Sequence, residues 1–193
     1  MKSLHRGIVS AMVLAGLAFG GAVPALAAPA KKPAAAKPAS KPAATDSMAP
    51  TSIGNFSSWT AWSGKDSSGL ICYVSAEPAT SQPSGVKRDP VHFLIVDRKG
   101  LGTTNEVQTL IGYDFRKDSK PSSTIDGKVY PMVADGAGAW LASTGDEAGF
   151  VAAMKKGKSL VVKGTSLRGT ETTDTYSLSG VTAALDAATK ACS

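Results

Sequence analysis

Val91-His92-Phe93-Leu94-Ile95-Val96-Asp97 reads as the central strand of a sheet. Val91, Phe93 and Ile95 point one way and His92, Leu94 and Val96 the other. Both sets are mostly apolar, which suits a strand covered on both faces. Outward from it, short apolar runs recur between Gly, Ser, Asp and Pro. Phe56–Trp62 and Leu70–Ala76 read as a first pair, with Ser63–Gly69 as their turn. Glu106–Tyr113 puts Val107, Thr109, Ile111 and Tyr113 on one face. Asp126-Gly127 is a tight-turn pair between Ser123–Ile125 and Lys128–Val133, and Asp135-Gly136 leads into Ala139-Trp140-Leu141. Ser159–Leu167 and Thr172–Ser179 flank Arg168–Glu171 as a hairpin.

Two short helices interrupt the strands. Asp146–Lys156 begins with acidic residues, ends in Lys155-Lys156 and is followed by Gly157, the expected start and stop signals. Ser179 is placed to cap a final helix in which Val181, Ala184, Leu185, Ala188 and Cys192 share one face. Strands recur about every 10–15 residues without regular βαβ alternation, so the pattern predicts an all-β chain, a β-sandwich with two helices, the last C-terminal.

The chain has 193 residues and a formal net charge of +6. That length suits one domain with a real core. From Thr51 onward there are 15 basic and 14 acidic residues, so 51–193 is nearly neutral and carries no electrostatic footprint for nucleic acid. The excess charge lies in the first fifty residues. Lys2 and Arg6 precede an apolar run from Ile8 to Val23, and Ala25-Leu26-Ala27 supplies small residues at the −3 and −1 positions. Residues 1–27 therefore read as a secretory signal peptide cleaved after Ala27, which makes the mature chain periplasmic or secreted, with no retained transmembrane anchor. No Cys lies near the cleavage site, which excludes a lipoprotein anchor. Residues 28–50, with Lys31, Lys32, Lys37, Lys41 and five prolines, read as a disordered Lys/Pro/Ala-rich linker reaching ~70 Å when polyproline-like. Its lysines serve either solubility or weak, salt-sensitive attraction to anionic envelope polymers.

In an exported chain the two cysteines, Cys72 and Cys192, are most simply a disulfide. Neither has a CxxC spacing or a basic neighbour that would make a reactive thiol. His92 stands alone in its strand. HExxH, Cys/His clusters, GxSxG, Walker and GxGxxG motifs are all missing from the sequence, so no metal or cofactor is implied. Ser84-Gly85-Val86-Lys87 matches SxxK only in letters, because it falls in a Pro/Gly-rich loop rather than at a helix start. Glu171 and Asp174 are acids without a spacing that marks them as a catalytic pair. Trp59 and Trp62 face opposite sides of their strand. Burial of all three tryptophans, with Trp140, is the simpler expectation, and Trp62 is the one most open to solvent, where it could stack on a sugar.

The run Lys155-Lys156-Gly157-Lys158-Ser159-Leu160-Val161-Val162-Lys163-Gly164-Thr165-Ser166 carries a resemblance, with Arg168-Gly169-Thr170 and Thr172–Gly180 after it. So do Ile53-Gly54-Asn55-Phe56, Trp59, Cys72, and the Asp126-Gly127 and Asp135-Gly136 turns before Trp140. Over about Ile53 to Cys192 the chain resembles the invasion-associated locus B (IalB) family of alphaproteobacteria. The resemblance implies an exported protein with an immunoglobulin-like β-sandwich fold and an association with host-cell invasion; it supplies no catalytic residue, cofactor or ligand. The resulting expectation is a non-enzymatic envelope protein acting through contacts with a protein or envelope component. Its contact residues are sought at Arg168 and Glu171 on the hairpin and in the polar loop Pro78–Pro90. The alternative is a glycan- or peptidoglycan-binding module using Trp62.

Overall fold

A computed structural model describes residues 49–193. The expected signal peptide and nearly all of the expected linker lie outside the described residues. Eleven strands follow one another as β1 (Thr51–Phe56), β2 (Trp59–Asp66), β3 (Gly69–Ala76), β4 (Thr80–Gln82), β5 (His92–Arg98), β6 (Thr103–Leu110), β7 (Ser122–Ile125), β8 (Lys128–Asp135), β9 (Gly138–Leu141), β10 (Ser159–Thr165) and β11 (Glu171–Ser177). Helix α1 (Glu147–Lys156) separates β9 from β10, and α2 (Val181–Ala191) closes the chain. The mainly-β class with two helices, the last C-terminal, is the architecture observed.

Every strand pair is antiparallel, and the order is β1-β2-β3-β5-β6-β9-β8-β7-β10-β11-β4. Strand β8 belongs to both halves: Lys128–Pro131 pair with β7 and Met132–Asp135 with β9. The sheet folds back there. Phe93 in β5 and Tyr176 in β11 are six strand positions apart, a span of roughly 29 Å in a flat sheet, yet their ring centroids are 5.7 Å apart. The two arms thus share one core, in which Phe93 also meets Trp59 and Phe150 at 6.5 and 5.9 Å. Helix α1 supplies Phe150, Val151 and Met154 to it, and α2 supplies Val181, Ala184, Leu185 and Ala188. Cys72 and Cys192 are bonded, with Cα atoms 6.0 Å apart, so the end of α2 is tied to β3.

Local chemistry explains most turns. Asp126 and Gly127 both have positive φ, 45° and 92°, as a two-residue hairpin of the primed type requires. Three expectations change. Ser63–Gly69 is not a loop: Ser63 through Asp66 stay paired with β3, and the turn shrinks to Ser67-Ser68, held by the Asp66 carboxylate accepting from Ser68 N at 2.8 Å. Polar residues at strand positions short of full burial imitate a loop in composition. The cap of α2 is Gly180 rather than Ser179, and no side chain bonds there. The segment 78–90 contains β4, the edge strand beside β11, so part of it belongs to the sheet.

Gly180 has φ +87°, and a Cβ on it would stand 2.0 Å from the Phe56 carbonyl oxygen. Gly180→Ala is therefore expected to cost more than about 2 kcal/mol, combining left-handed strain with a backbone clash. Urea unfolding checks this; an unchanged midpoint would show that the β1–β2 turn yields freely.

Candidate functional site

The site is assembled around the β10–β11 hairpin. Its strands run in register from Ser159 opposite Ser177 to Thr165 opposite Glu171. The tip is closed by its own bonds: Ser166 N donates to Thr170 O at 2.9 Å, Thr170 N to Ser166 Oγ at 3.1 Å and Gly169 N to Ser166 O at 2.8 Å. Gly169, at φ +84°, takes the left-handed position in this tight turn. Leu167 N donates to Asp114 O at 3.0 Å, which fixes the tip against the segment after β6. The tip is therefore rigid in backbone, while the Leu167 side chain stays 62% exposed.

The second wall comes from the 78–90 segment. Alternation along β11 turns Thr172, Asp174 and Tyr176 inward. An inward carboxylate needs a cation, and Arg88 provides it. Arg88 Nη1 donates to Asp174 Oδ2 at 2.9 Å and its Nη2 donates to Oδ1, while Ser81 Oγ in β4 donates to the same Oδ1 at 2.6 Å. The two side chains are 9% and 0% exposed. The hydrogen bonds to Asp174 hold the Arg88 guanidinium further into its charged form, against the cost of burial.

Between the tip and this segment lies a cavity of about 280 Å³. Tyr113 and Thr172 form part of its lining, with Tyr113 Oη and Thr172 Oγ1 2.7 Å apart. Burial pushes the Tyr113 phenol up; the bond to Thr172 and the Arg88 charge work in the opposite direction. Val86 and Leu167 line it too, both apolar and exposed. Lys87 and Arg168 add two positive charges, and neither forms an ion pair among the described residues. Asp114 is an acidic member of the lining. Rigid backbone, apolar flanks and unpaired cations make a surface suited to binding a segment that carries both a carboxylate and an apolar side chain.

The structure brings Arg168 together with Lys87 of the 78–90 segment. Glu171 is exposed at the start of β11 and does not line the cavity. Glu171 and Asp174 lie on opposite faces of β11, and Asp174 is committed to Arg88, so they form no catalytic pair. Ser84 to Lys87 lie outside any helix. Trp59 is buried, whereas Trp62 and Trp140 are half-buried, contrary to full burial for all three. Trp62 stacks on Tyr73 with centroids 6.1 Å apart and donates to Ser75 Oγ at 2.9 Å. Among the described residues no three His, Cys, Asp or Glu side chains are grouped to hold a metal. Sequence reasoning named the 78–90 segment that carries Lys87 but missed Tyr113 and the Arg88–Asp174 pair. The period-two pattern of β11 marks Asp174 as inward, but no local signal names residue 88 as its partner.

Among curated proteins no sequence matches the chain. Among solved structures it is similar to the crystal structure of invasion associated protein B from Bartonella henselae, at 14% identity and a TM-score of 0.49, over 70% of this chain and 94% of that one. The family model described as Invasion associated locus B (IalB) protein matches residues 59–189. That span runs from the first residue of β2 through most of α2, so the chain belongs to the invasion associated locus B family.

Proposed function

We propose that this is an exported, non-enzymatic protein of the cell envelope that acts by contact, in the periplasm or outside the cell, with host-cell interaction among its roles. The observation that carries this reading is the cavity between the hairpin tip and Val86–Arg88, where unpaired Lys87 and Arg168 stand beside exposed Val86 and Leu167. Its partner is a protein or envelope component presenting an acidic and partly apolar segment. The Lys/Pro/Ala segment at 28–50 adds a weak, salt-sensitive attraction to anionic polymers.

Co-sedimentation with isolated envelope fractions across a salt series tests both parts. Deleting residues 28–50 removes the linker's salt-sensitive share of pelleting and leaves that of the folded part. Replacing Arg168 and Glu171 together by alanine leaves the melting temperature nearly unchanged, within about 0.5 kcal/mol of stability, and weakens the pelleting that remains after residues 28–50 are deleted. Binding by the chain lacking residues 28–50 that ignores the double replacement would sink the hairpin as a contact site.

A second reading, a glycan-binding module, is favoured by one observation: Trp62 and Tyr73 lie nearly parallel, at 16°, and both are half-exposed. Such a platform can stack on a sugar ring. Quenching of tryptophan fluorescence by muropeptides, lost in Trp62→Ala, is the expected result; no quenching by any fragment removes this reading.

A further inference from the structure

A different concavity, of about 560 Å³, is lined by Thr103, Thr104 and Glu106 of β6, Trp140 of β9, and Thr144 and Glu147 at the entry to α1. Its charges do not balance. Arg98 Nη1 donates to Glu106 Oε1 at 2.7 Å, and Arg98 Nε also lies 3.7 Å from Asp66 Oδ2. Arg98 is thus shared by two carboxylates, and Glu147, which feels the charge of Glu106, forms no ion pair among the described residues. No lysine or arginine is in the lining. Burial, and then the Glu106 charge, hold the Glu147 carboxyl above its ordinary range, against a bond from the Val107 backbone that favours ionisation.

The aromatic wall is built into the backbone. A Cβ on Gly138 would fall 2.6 Å from the Trp140 ring. Glycine at 138 therefore lets the half-buried indole lie against the strand. An indole is the best of the aromatic faces for a cation.

We propose that this concavity binds an organic cation, an ammonium or guanidinium group, against Trp140, with the unpaired Glu147 supplying the counter-charge beside the Arg98-bonded Glu106. Two carboxylates and threonine hydroxyls are a sparse shell for a hard metal ion, which takes six or more oxygens. A neutral sugar would leave the excess negative charge uncompensated. The inference is independent of the hairpin site: it uses other residues and a ligand of the opposite sign.

The test is a ¹H–¹⁵N titration of the full chain, following the indole N–H signals of the three tryptophans. The probes are tetramethylammonium chloride and Nα-acetyl-arginine amide at constant ionic strength, with methyl glucoside as the neutral comparison. Trp140→Phe assigns the Trp140 signal. The expected result is a saturable shift of that signal with at least one of the two cations, while the Trp59 and Trp62 signals stay in place. Glu147→Gln keeps the shape of the side chain and should weaken binding about fivefold, the scale of one lost charge contact at a partly exposed site. Absence of a saturable shift with both cations overturns the proposal. So does unchanged affinity in Glu147→Gln, and so does a shift produced by the glucoside alone, which would assign the concavity to carbohydrate.

Discussion

Asp174→Ala, with Arg88 left in place, is expected to lose about 3–5 kcal/mol of stability in urea unfolding. The cost does not come from the strength of the ion pair as such. Burying two charges is expensive, and their mutual attraction in a low dielectric offsets that only when geometry and remaining bonds are good. Here the guanidinium meets both oxygens of Asp174, and Ser81 Oγ adds a third bond at 2.6 Å. Removing the carboxylate leaves a guanidinium that is 9% exposed without its partner. It also leaves Ser81 of β4 without its acceptor. The double variant Arg88→Met with Asp174→Leu removes both charges, and should recover most of the lost stability. A double variant as unstable as the single one would show that the pair itself, not the orphaned charge, holds the edge of the sheet. Because Arg88 also anchors the wall that carries Val86 and Lys87, the double variant should keep most of its stability yet lose the envelope binding that does not depend on residues 28–50.

Cys72→Ser is expected to cost about 4–5 kcal/mol, the chain-entropy value for a loop of this length and an upper figure. The bond joins residues separated by 120 positions, so its loss frees a large share of the unfolded ensemble. For a domain of this size that corresponds to a fall in melting temperature on the order of 10 °C or more. The reduced wild-type chain should melt close to Cys72→Ser. Equal melting temperatures with and without reductant would contradict any stabilising role for the bond. The effect should centre on α2, whose Val181, Ala184, Leu185 and Ala188 would then be held by packing alone.

Much of the fold was legible because it is written in local terms. The alternation in Val91–Asp97 placed β5, the Asp126-Gly127 pair placed the β7–β8 turn, and the spacing of Val181, Ala184, Leu185, Ala188 and Cys192 placed α2. Each signal lies within a few residues of the element it specifies. Where composition imitated another state, the sequence misled: Ser63–Asp66 looked like a turn because its side chains are small or polar, yet its backbone pairs with β3. Of the candidate site, the hairpin carrying Arg168 and the polar 78–90 segment could be named separately. Nothing in either stretch says that they meet.

By itself the sequence determined the strand and helix periods, the tight turns and the two cysteines available for a bond, since backbone stereochemistry and side-chain parity act between near neighbours. Only the tertiary structure decided that β8 would serve both arms of the sheet, bringing Phe93 onto Tyr176. The same folding set Arg88 against Asp174, closed the cavity under Arg168, and placed Trp140 beside Glu106 and Glu147. Those juxtapositions follow from burying one continuous apolar surface. Burial constrains the whole chain at once and leaves no periodic mark on any single segment.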